Sequence, residues 1–147
     1  MTMTATARPI DGTLRHEFDV NGRHTITTDE PEKLGGSDTA PAPHELLPAI
    51  LASCVSTMIT LYARTRDWEL EDVRVDVSYD HDSTPRQVHT TIHLPDGLTP
   101  EQVRRLQRVA ETCPVKRALE AGFTFEDQIA LDLPTAHPAE RDPSHSA

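Results

Sequence analysis

Hydrophobic and polar residues alternate near the start of the chain, which predicts a β-hairpin there. Residues 14–20 place apolar side chains on one face, and residues 24–28 are rich in β-branched side chains that favour strands. Asn21-Gly22 stands between the two runs and is the strongest two-residue hairpin signal. The preceding residues, 1–12, are small and polar, and we expect them to form a loose arm.

Two later segments alternate in the same way and predict a second pair of strands. They are residues 73–79 and 88–94, with a polar turn between them. A last strand is predicted at 123–133. The segment 29–43 contains Gly35-Gly36 and several prolines, and we interpret it as a long loop.

A long helix is predicted at residues 44–66, beginning near Pro43 and containing Pro48 close to its start. Beyond Pro48, large apolar residues cover almost every side of it: Ile50, Leu51, Val55, Met58, Ile59, Leu61 and Tyr62. A helix that is apolar nearly all round is buried nearly all round. In a chain of 147 residues this indicates a second subunit covering one side.

Two shorter helices are predicted at 100–112 and 114–120. Thr99 is a favourable N-cap residue, with Pro100 in the first turn and Gln102 at the third helical position, as in a capping box. The order of elements is two strands, a long helix, two strands, two helices and a strand. This order predicts an α+β fold with antiparallel sheets, because the hairpins are local and no βαβ rhythm appears.

Length and composition narrow the classes of partner. The 147 residues predict one domain, which we place at 8–133, followed by a disordered tail at 134–147. The formal net charge of -10 repels nucleic acid and anionic lipid, so we expect neither as a partner. No run approaches the ~20 apolar residues of a membrane span. The first residues lack the apolar stretch of a secretion signal, and we expect a cytoplasmic protein.

The chain has two cysteines, Cys54 and Cys113, which we expect to be free thiols in a reducing compartment. A lone cysteine in a core helix, such as Cys54, is usually only a small apolar residue. Cys113 precedes Pro114 at a helix start, and Lys116 and Arg117 follow within one turn. Free N–H groups and positive charge there favour a thiolate, so position alone makes Cys113 the more acidic candidate. Together the two thiols predict a redox-active pair, provided that the fold brings them together.

Three stretches resemble the OsmC/Ohr family of hydroperoxide-resistance proteins: Gly35-Gly36-Ser37-Asp38, PAPHELLPAILASC ending at Cys54, and ETCPVKRALEAG around Cys113. The resemblance covers about residues 14–133. It implies an OsmC-like fold with antiparallel sheets packed on two central helices, in an interlaced homodimer. It also implies a thiol-dependent peroxidase for organic hydroperoxides, in which Cys54 attacks the peroxide and Cys113 resolves the product. The apolar helix favours lipid-like or aryl hydroperoxides over hydrogen peroxide.

In the peroxidase members of that family an arginine and a glutamate support the thiolate. Glu45 is the matching glutamate, although the family position is one earlier, where this chain has His44. Along a regular helix Glu45 lies ~13 Å from Cys54, so it acts by orienting an arginine, through a helix distortion or across the dimer. We prefer Arg15 over Arg23 as the arginine. The resemblance implies no metal or organic cofactor, and an external dithiol as reductant.

Two other functions remain open from the sequence. His44 at the glutamate position favours a non-peroxidatic dimer that binds a small apolar or electrophilic ligand in an inter-subunit pocket. A cysteine hydrolase is a weaker alternative, because Cys54 is in the middle of a helix and not on a nucleophile elbow. His89 and His93 share a strand face without any metal-binding motif, and we predict no metal site.

Overall fold

The computed structural model describes residues 1–131 and contains two antiparallel sheets and a group of helices. One sheet has three strands in the order β1 (Ala5–Pro9), β2 (His16–Val20) and β3 (His24–Thr28). The other pairs β4 (Arg74–Asp80) with β5 (Gln87–His93). The predicted α+β class with antiparallel sheets is confirmed.

The helices are α1 (Pro43–Arg64), α2 (Pro100–Glu111) and α3 (Pro114–Ala121). Helix α1 runs without a break through Pro48. The capping box of α2 forms as predicted: the Gln102 N–H donates to Thr99 Oγ1 at 3.2 Å, and the Thr99 N–H donates to Gln102 Oε1 at 2.8 Å. These reciprocal bonds satisfy two backbone donors that the first turn of a helix leaves free.

The hairpin of β2 and β3 turns at Asn21 and Gly22, as the sequence predicts. Both residues have positive φ, 54° and 66°, as a type I′ turn requires. Gly22 adopts this conformation without the steric cost that a Cβ imposes. The turn sets a register in which Phe18 faces Ile26 across the strands.

Two sequence predictions about the chain ends are wrong. Residues 5–9, expected within a loose arm, form β1, because the free edge of β2 offers backbone groups to which they pair. Residues 123–131, expected to form most of a last strand, have no regular secondary structure and do not pair within their own chain. A strand needs a neighbour for its backbone hydrogen bonds, and residues 1–131 provide none there. The rest of that predicted strand and the predicted tail at 134–147 lie outside the described residues.

The core is built around one stripe of α1. Leu51, Val55, Ile59 and Ala63 recur every fourth position and are all buried. Leu106 and Ala110 of α2 pack against this stripe, and Cys113 closes it at one end. Burying each large aliphatic side chain contributes ~1.5–3 kcal/mol. This stripe places α1 and α2 side by side and so positions Cys54 and Cys113.

Helix α1 is long and apolar enough to cross a membrane by length and composition. The core helix of a globular domain passes the same test. Because α1 packs against β4, α2 and α3 of its own chain, its hydropathy carries no argument for a membrane span.

The structure leaves two apolar surfaces without cover. On α1, Ile50 and Leu61 are each 51% exposed and lie on a common face, three turns apart. The β1–β3 sheet makes almost no contact with any described helix, and its residue Ile26 is largely exposed. Sheets and helices normally bury one apolar face against another layer, so these surfaces indicate a missing partner layer.

A buried carboxylate that the sequence analysis did not identify organises the loop before α1. Asp29 is 1% exposed and accepts hydrogen bonds from the backbone N–H groups of Glu30 at 2.8 Å, Ser37 at 3.3 Å and Thr39 at 3.1 Å. The Thr39 hydroxyl donates to it at 2.8 Å. These donors outweigh burial and lower the Asp29 pKa to about 2. At Gly36 the Glu30 backbone leaves no room for a side chain, so the loop is closely packed.

We expect Asp29→Asn to lower the urea midpoint at pH 7, with a drop in melting temperature on the order of 5–10 °C. The amide NH2 group places its two hydrogens against N–H and O–H donors, which lose the carboxylate oxygen that accepted their hydrogen bonds. Because the folded pKa of about 2 lies below the ordinary 3.8, the stabilisation is complete above pH 4 and is lost as pH falls toward 2. The difference between wild type and variant should therefore shrink over that range.

Asp38→Asn is the matched control for this prediction. Asp38 lies exposed in the same loop, and its φ of 52° suits asparagine equally well. An equal loss of stability in this variant, or a difference that does not change between pH 4 and 2, would contradict the role given to Asp29.

Candidate active site

Cys54 lies in the middle of α1, beside the buried stripe. Its neighbour Val55 points into the core, and a rotation of 100° per residue leaves Cys54 at the edge of that face. The side chain is half-buried and packs against the core cluster. Cys54 is therefore held by a rigid element and retains some access to solvent.

Cys113 lies at the junction of α2 and α3 and is the N-cap residue of α3, as the sequence predicts. Its Sγ accepts a hydrogen bond from the backbone N–H of Lys116 at 3.5 Å. Pro114 takes the first helical position, where the missing N–H costs nothing. The Cys113 side chain is completely buried.

The fold brings the two sulfur atoms together. Cys54 Sγ and Cys113 Sγ lie 2.7 Å apart, although 59 positions separate the residues along the chain. Both cysteines are free thiols. Helix α1 packs on α2 and α3, and this packing holds the two sulfur atoms in contact.

The surroundings of Cys54 disfavour its thiolate within the single chain. Burial raises the pKa of the Cys54 thiol, and the neighbouring Cys113 sulfur raises it further. The backbone N–H of Val115 opposes these effects in part. Among residues 1–131, no guanidinium contributes to the pKa of this thiol.

The sequence analysis missed the effect of the Val115 backbone N–H, which lowers the pKa of the Cys54 thiol against the stronger opposing effect of burial. No residue type marks it, because it uses a main-chain N–H group. The Cys-Pro step places that N–H group in the first turn of α3, facing α1.

Glu45 and Arg15 lie apart from the sulfur pair. The Glu45 carboxylate accepts a hydrogen bond from the Ala42 N–H at 2.9 Å and so caps the start of α1. Arg15 precedes β2 with an exposed side chain, and Arg23 is exposed in the hairpin turn. In the part of the chain that the structure describes, none of these three side chains forms a hydrogen bond to either sulfur.

His44, at the position of the family's glutamate, is exposed at the start of α1. Its ring lies 6.3 Å from that of His81. His93, on β5, contacts Asp76 at 2.9 Å instead of sharing a site with His89. Within residues 1–131 there is no group of three or more His, Cys, Asp or Glu side chains placed to hold a metal ion.

The sequence of this protein matches one known family. Residues 35–126 match the family model described as OsmC-like protein, so the chain belongs to the OsmC-like family. The resemblance carried by the two cysteine motifs is thereby confirmed. No curated protein matches the sequence.

Solved structures of the same family share the fold. One is a proposed osmotic stress induced and detoxification response protein from Psychrobacter arcticus, 29% identical with a TM-score of 0.65, covering 80% of this chain and 87% of that chain. Another is an organic hydroperoxide resistance protein, OsmC, from Legionella pneumophila, at 25% identity and TM-score 0.57, covering 81% and 89%. A third, from Vibrio cholerae, is 22% identical with a TM-score of 0.58, covers 81% and 84%, and holds captopril in an active site. The family match and the Legionella structure support a role of the peroxide-resistance or OsmC-like type.

Proposed function

We propose that this protein is a thiol-dependent peroxidase that reduces organic hydroperoxides with Cys54 and Cys113. The observation that carries the proposal is the 2.7 Å approach of the two sulfurs. A lone core cysteine needs no second thiol beside it, whereas a sulfenic acid needs a resolving thiol within reach. The Legionella relative, an organic hydroperoxide resistance protein, supports the same chemistry.

The reaction balances with sulfur alone. The Cys54 thiolate attacks one peroxide oxygen, the O–O bond breaks, and the alcohol leaves after taking a proton. Cys54 is then a sulfenic acid. The Cys113 sulfur attacks it, an S–S bond forms and water leaves. An external dithiol reduces this disulfide and returns both thiols. The cycle uses no metal or organic cofactor, and a reducing cytoplasmic setting suits it.

Exposure supports the assignment of roles within the pair. Cys54 is half-buried and can meet a substrate, whereas Cys113 is completely buried. Attack by Cys54 and resolution by Cys113 need no change in that arrangement. The N-cap position of Cys113 then has a purpose of its own, because the Lys116 N–H stabilises negative charge on the sulfur that attacks the sulfenic acid.

A second copy of the chain completes this proposed site. The exposed face of α1 and the uncovered β1–β3 sheet are complementary layers, and we propose that each sheet packs on the α1 helix of its partner. Residues 123–131 would then find a strand partner and bury Phe125 and Ile129, which are 81% and 90% exposed. In that arrangement Arg15 of one chain supports the Cys54 thiolate of the other. Glu45 orients it from the start of α1.

The alternative is a dimer that binds a small apolar or electrophilic ligand beside the same thiols without reducing peroxide. Two observations favour it: His44 occupies the glutamate position, and the Cys54 thiol has a raised pKa within the single chain. An electrophile would consume Cys54 without forming an internal disulfide.

One titration separates the two functions. The fully reduced chain is mixed with one equivalent of cumene hydroperoxide, and free thiols are counted after denaturation. We expect both thiols to disappear while the mass falls by two hydrogens, as an intramolecular disulfide requires. Hydrogen peroxide at the same dose should react more slowly. Two thiols still present after the organic hydroperoxide would favour the binding protein.

A further inference from the structure

The two sulfur atoms of the pair differ in their access to solvent. Cys113 is 0% exposed, whereas Cys54 is half-buried on α1. Association with a second chain can only cover more surface, so Cys113 stays buried in any oligomer. A reductant that must contact one sulfur atom of the oxidised pair therefore meets Cys54 first.

Packing around Cys113 also limits the direction of attack. In thiol–disulfide exchange a thiolate attacks one sulfur of the disulfide, and the other sulfur leaves from the opposite side. Attack on Cys54 expels Cys113 toward the core. Attack on Cys113 requires an approach from the side opposite Cys54, where Cys113 belongs to the buried cluster with Leu106 and Ala110 of α2. The side chains of the core close that second approach.

Cys113 is also the better leaving group of the two. The leaving sulfur takes the electron pair of the S–S bond, and exchange is faster when its negative charge is stabilised. The Lys116 N–H donates to Cys113 Sγ at 3.5 Å, and the N-cap position on α3 favours an anion. Burial raises the pKa of the Cys54 thiol, so Cys54 would leave more slowly. Access and leaving-group stability thus favour the same reaction.

We propose that the external thiol reductant attacks the oxidised pair at Cys54 alone, so that the mixed disulfide forms on Cys54 and Cys113 leaves as a thiolate. The inference rests on the proposed function and adds to it the sulfur atom at which the protein is recycled. In the first step a thiolate of the dithiol bonds to Cys54 Sγ while the bond to Cys113 breaks. The second thiolate of the dithiol then attacks the dithiol's own bound sulfur, closes a ring disulfide and releases Cys54. Two electrons pass to the protein, and the two protons of the dithiol end on the two cysteines.

The contact between the sulfurs gives Cys113 a second part in this exchange. The two sulfur atoms lie 2.7 Å apart in the reduced chain. A thiolate held so close to the mixed disulfide has a high effective concentration. It attacks Cys54 Sγ, restores the disulfide of the protein and expels the reductant. The mixed disulfide is therefore short-lived in the wild-type chain and lasts longer in Cys113→Ser.

The attacked sulfur is identified by trapping the mixed disulfide. The full-length chain is oxidised with diamide, mixed with excess mercaptoethanol, quenched in acid at short intervals and alkylated with N-ethylmaleimide in denaturant. Mass spectrometry of the two cysteine peptides then shows which sulfur carries which group. We expect mercaptoethanol on Cys54 and maleimide on Cys113, in about tenfold or greater excess over the reverse pattern. When the exchange itself is run in denaturant, both patterns should be about equally frequent, because the unfolded chain exposes both sulfurs.

Single-cysteine variants give a matched comparison that needs no disulfide. Cys113→Ser keeps only the Cys54 thiol, and Cys54→Ser keeps only the Cys113 thiol. We expect an aromatic disulfide reagent to react with Cys54 about 100-fold faster than with Cys113 in the folded variants. The two rates should become similar in denaturant.

Three outcomes decide between the inference and its failure. A mercaptoethanol adduct found chiefly on Cys113, or equal reaction rates of the two folded variants, would overturn the inference. A chain in which diamide closes no disulfide would overturn both the inference and the two-thiol peroxidase. Diamide oxidises thiols without any hydroperoxide, so the two proposals are separable. A chain that forms the Cys54 adduct but consumes no hydroperoxide would lose the peroxidase function and keep the assigned order of thiol exchange.

Discussion

Replacing Cys54 by serine is expected to abolish hydroperoxide consumption, with a loss on the order of 10³-fold or more in kcat/KM. A serine hydroxyl has no accessible anion at neutral pH and cannot become a sulfenic acid. The measurement is the initial rate of cumene hydroperoxide loss with a dithiol reductant in excess. A Cys54→Ser protein that works at the wild-type rate would falsify the proposed function.

Cys113→Ser is the matched variant, because it removes one thiol of the same pair. We expect it to keep the first reaction with one equivalent of hydroperoxide and to leave a sulfenic acid on Cys54, which dimedone labels. No internal disulfide can form, so turnover with the reductant should be slow. If Cys113→Ser lost the first reaction and Cys54→Ser kept it, the roles of the two thiols would be reversed.

Leu61→Asp is expected to convert the proposed dimer into monomers. The dissociation constant of the dimer should rise on the order of 100-fold. The substitution places a charge on the exposed apolar face of α1 that we propose the partner's sheet covers. Because Leu61 is 51% exposed in the single chain, the fold of each monomer should survive, as far-UV circular dichroism will show. Light scattering at micromolar concentration measures the mass.

The control for this prediction is Leu34→Asp. Leu34 is 61% exposed on a short 3-10 turn away from α1, so the same charge there should leave the mass unchanged. If Arg15 of the partner subunit supports the thiolate, the Leu61→Asp monomer should also lose peroxidase activity. A wild-type protein that is monomeric, or an equal effect of both variants, would contradict the proposed dimer.

Local sequence signals predicted most of the elements. Asn21-Gly22 located the first hairpin, because few other residue pairs accept two positive φ values in succession. Thr99 and Gln102 located the start of α2 through a capping box that lies within four residues. The continuous apolar pattern of α1 predicted both its length and its central place in the core.

Errors arose where an element depends on a neighbour. Residues 5–9 have little strand character of their own, and pairing with β2 makes them a strand. Residues 123–131 have a strand-like pattern, but in the described part of the chain no strand pairs with them. A local sequence pattern does not show which strand edges are free to pair. The strand at residues 5–9 and the absence of one at 123–131 could therefore not be predicted from it.

The sequence by itself determined the chemistry available, which is that of two thiols, and it determined membership of the OsmC-like family. It also determined that Cys113 caps a helix, because capping depends on Pro114 and the following turn. Only the tertiary structure decided that Cys54 and Cys113 meet, since packing of α1 against α2 and α3 brings together residues 59 positions apart. It also decided that Asp29 is buried among hydrogen-bond donors. Contacts between distant segments depend on how whole faces pack, and a local pattern does not contain that information.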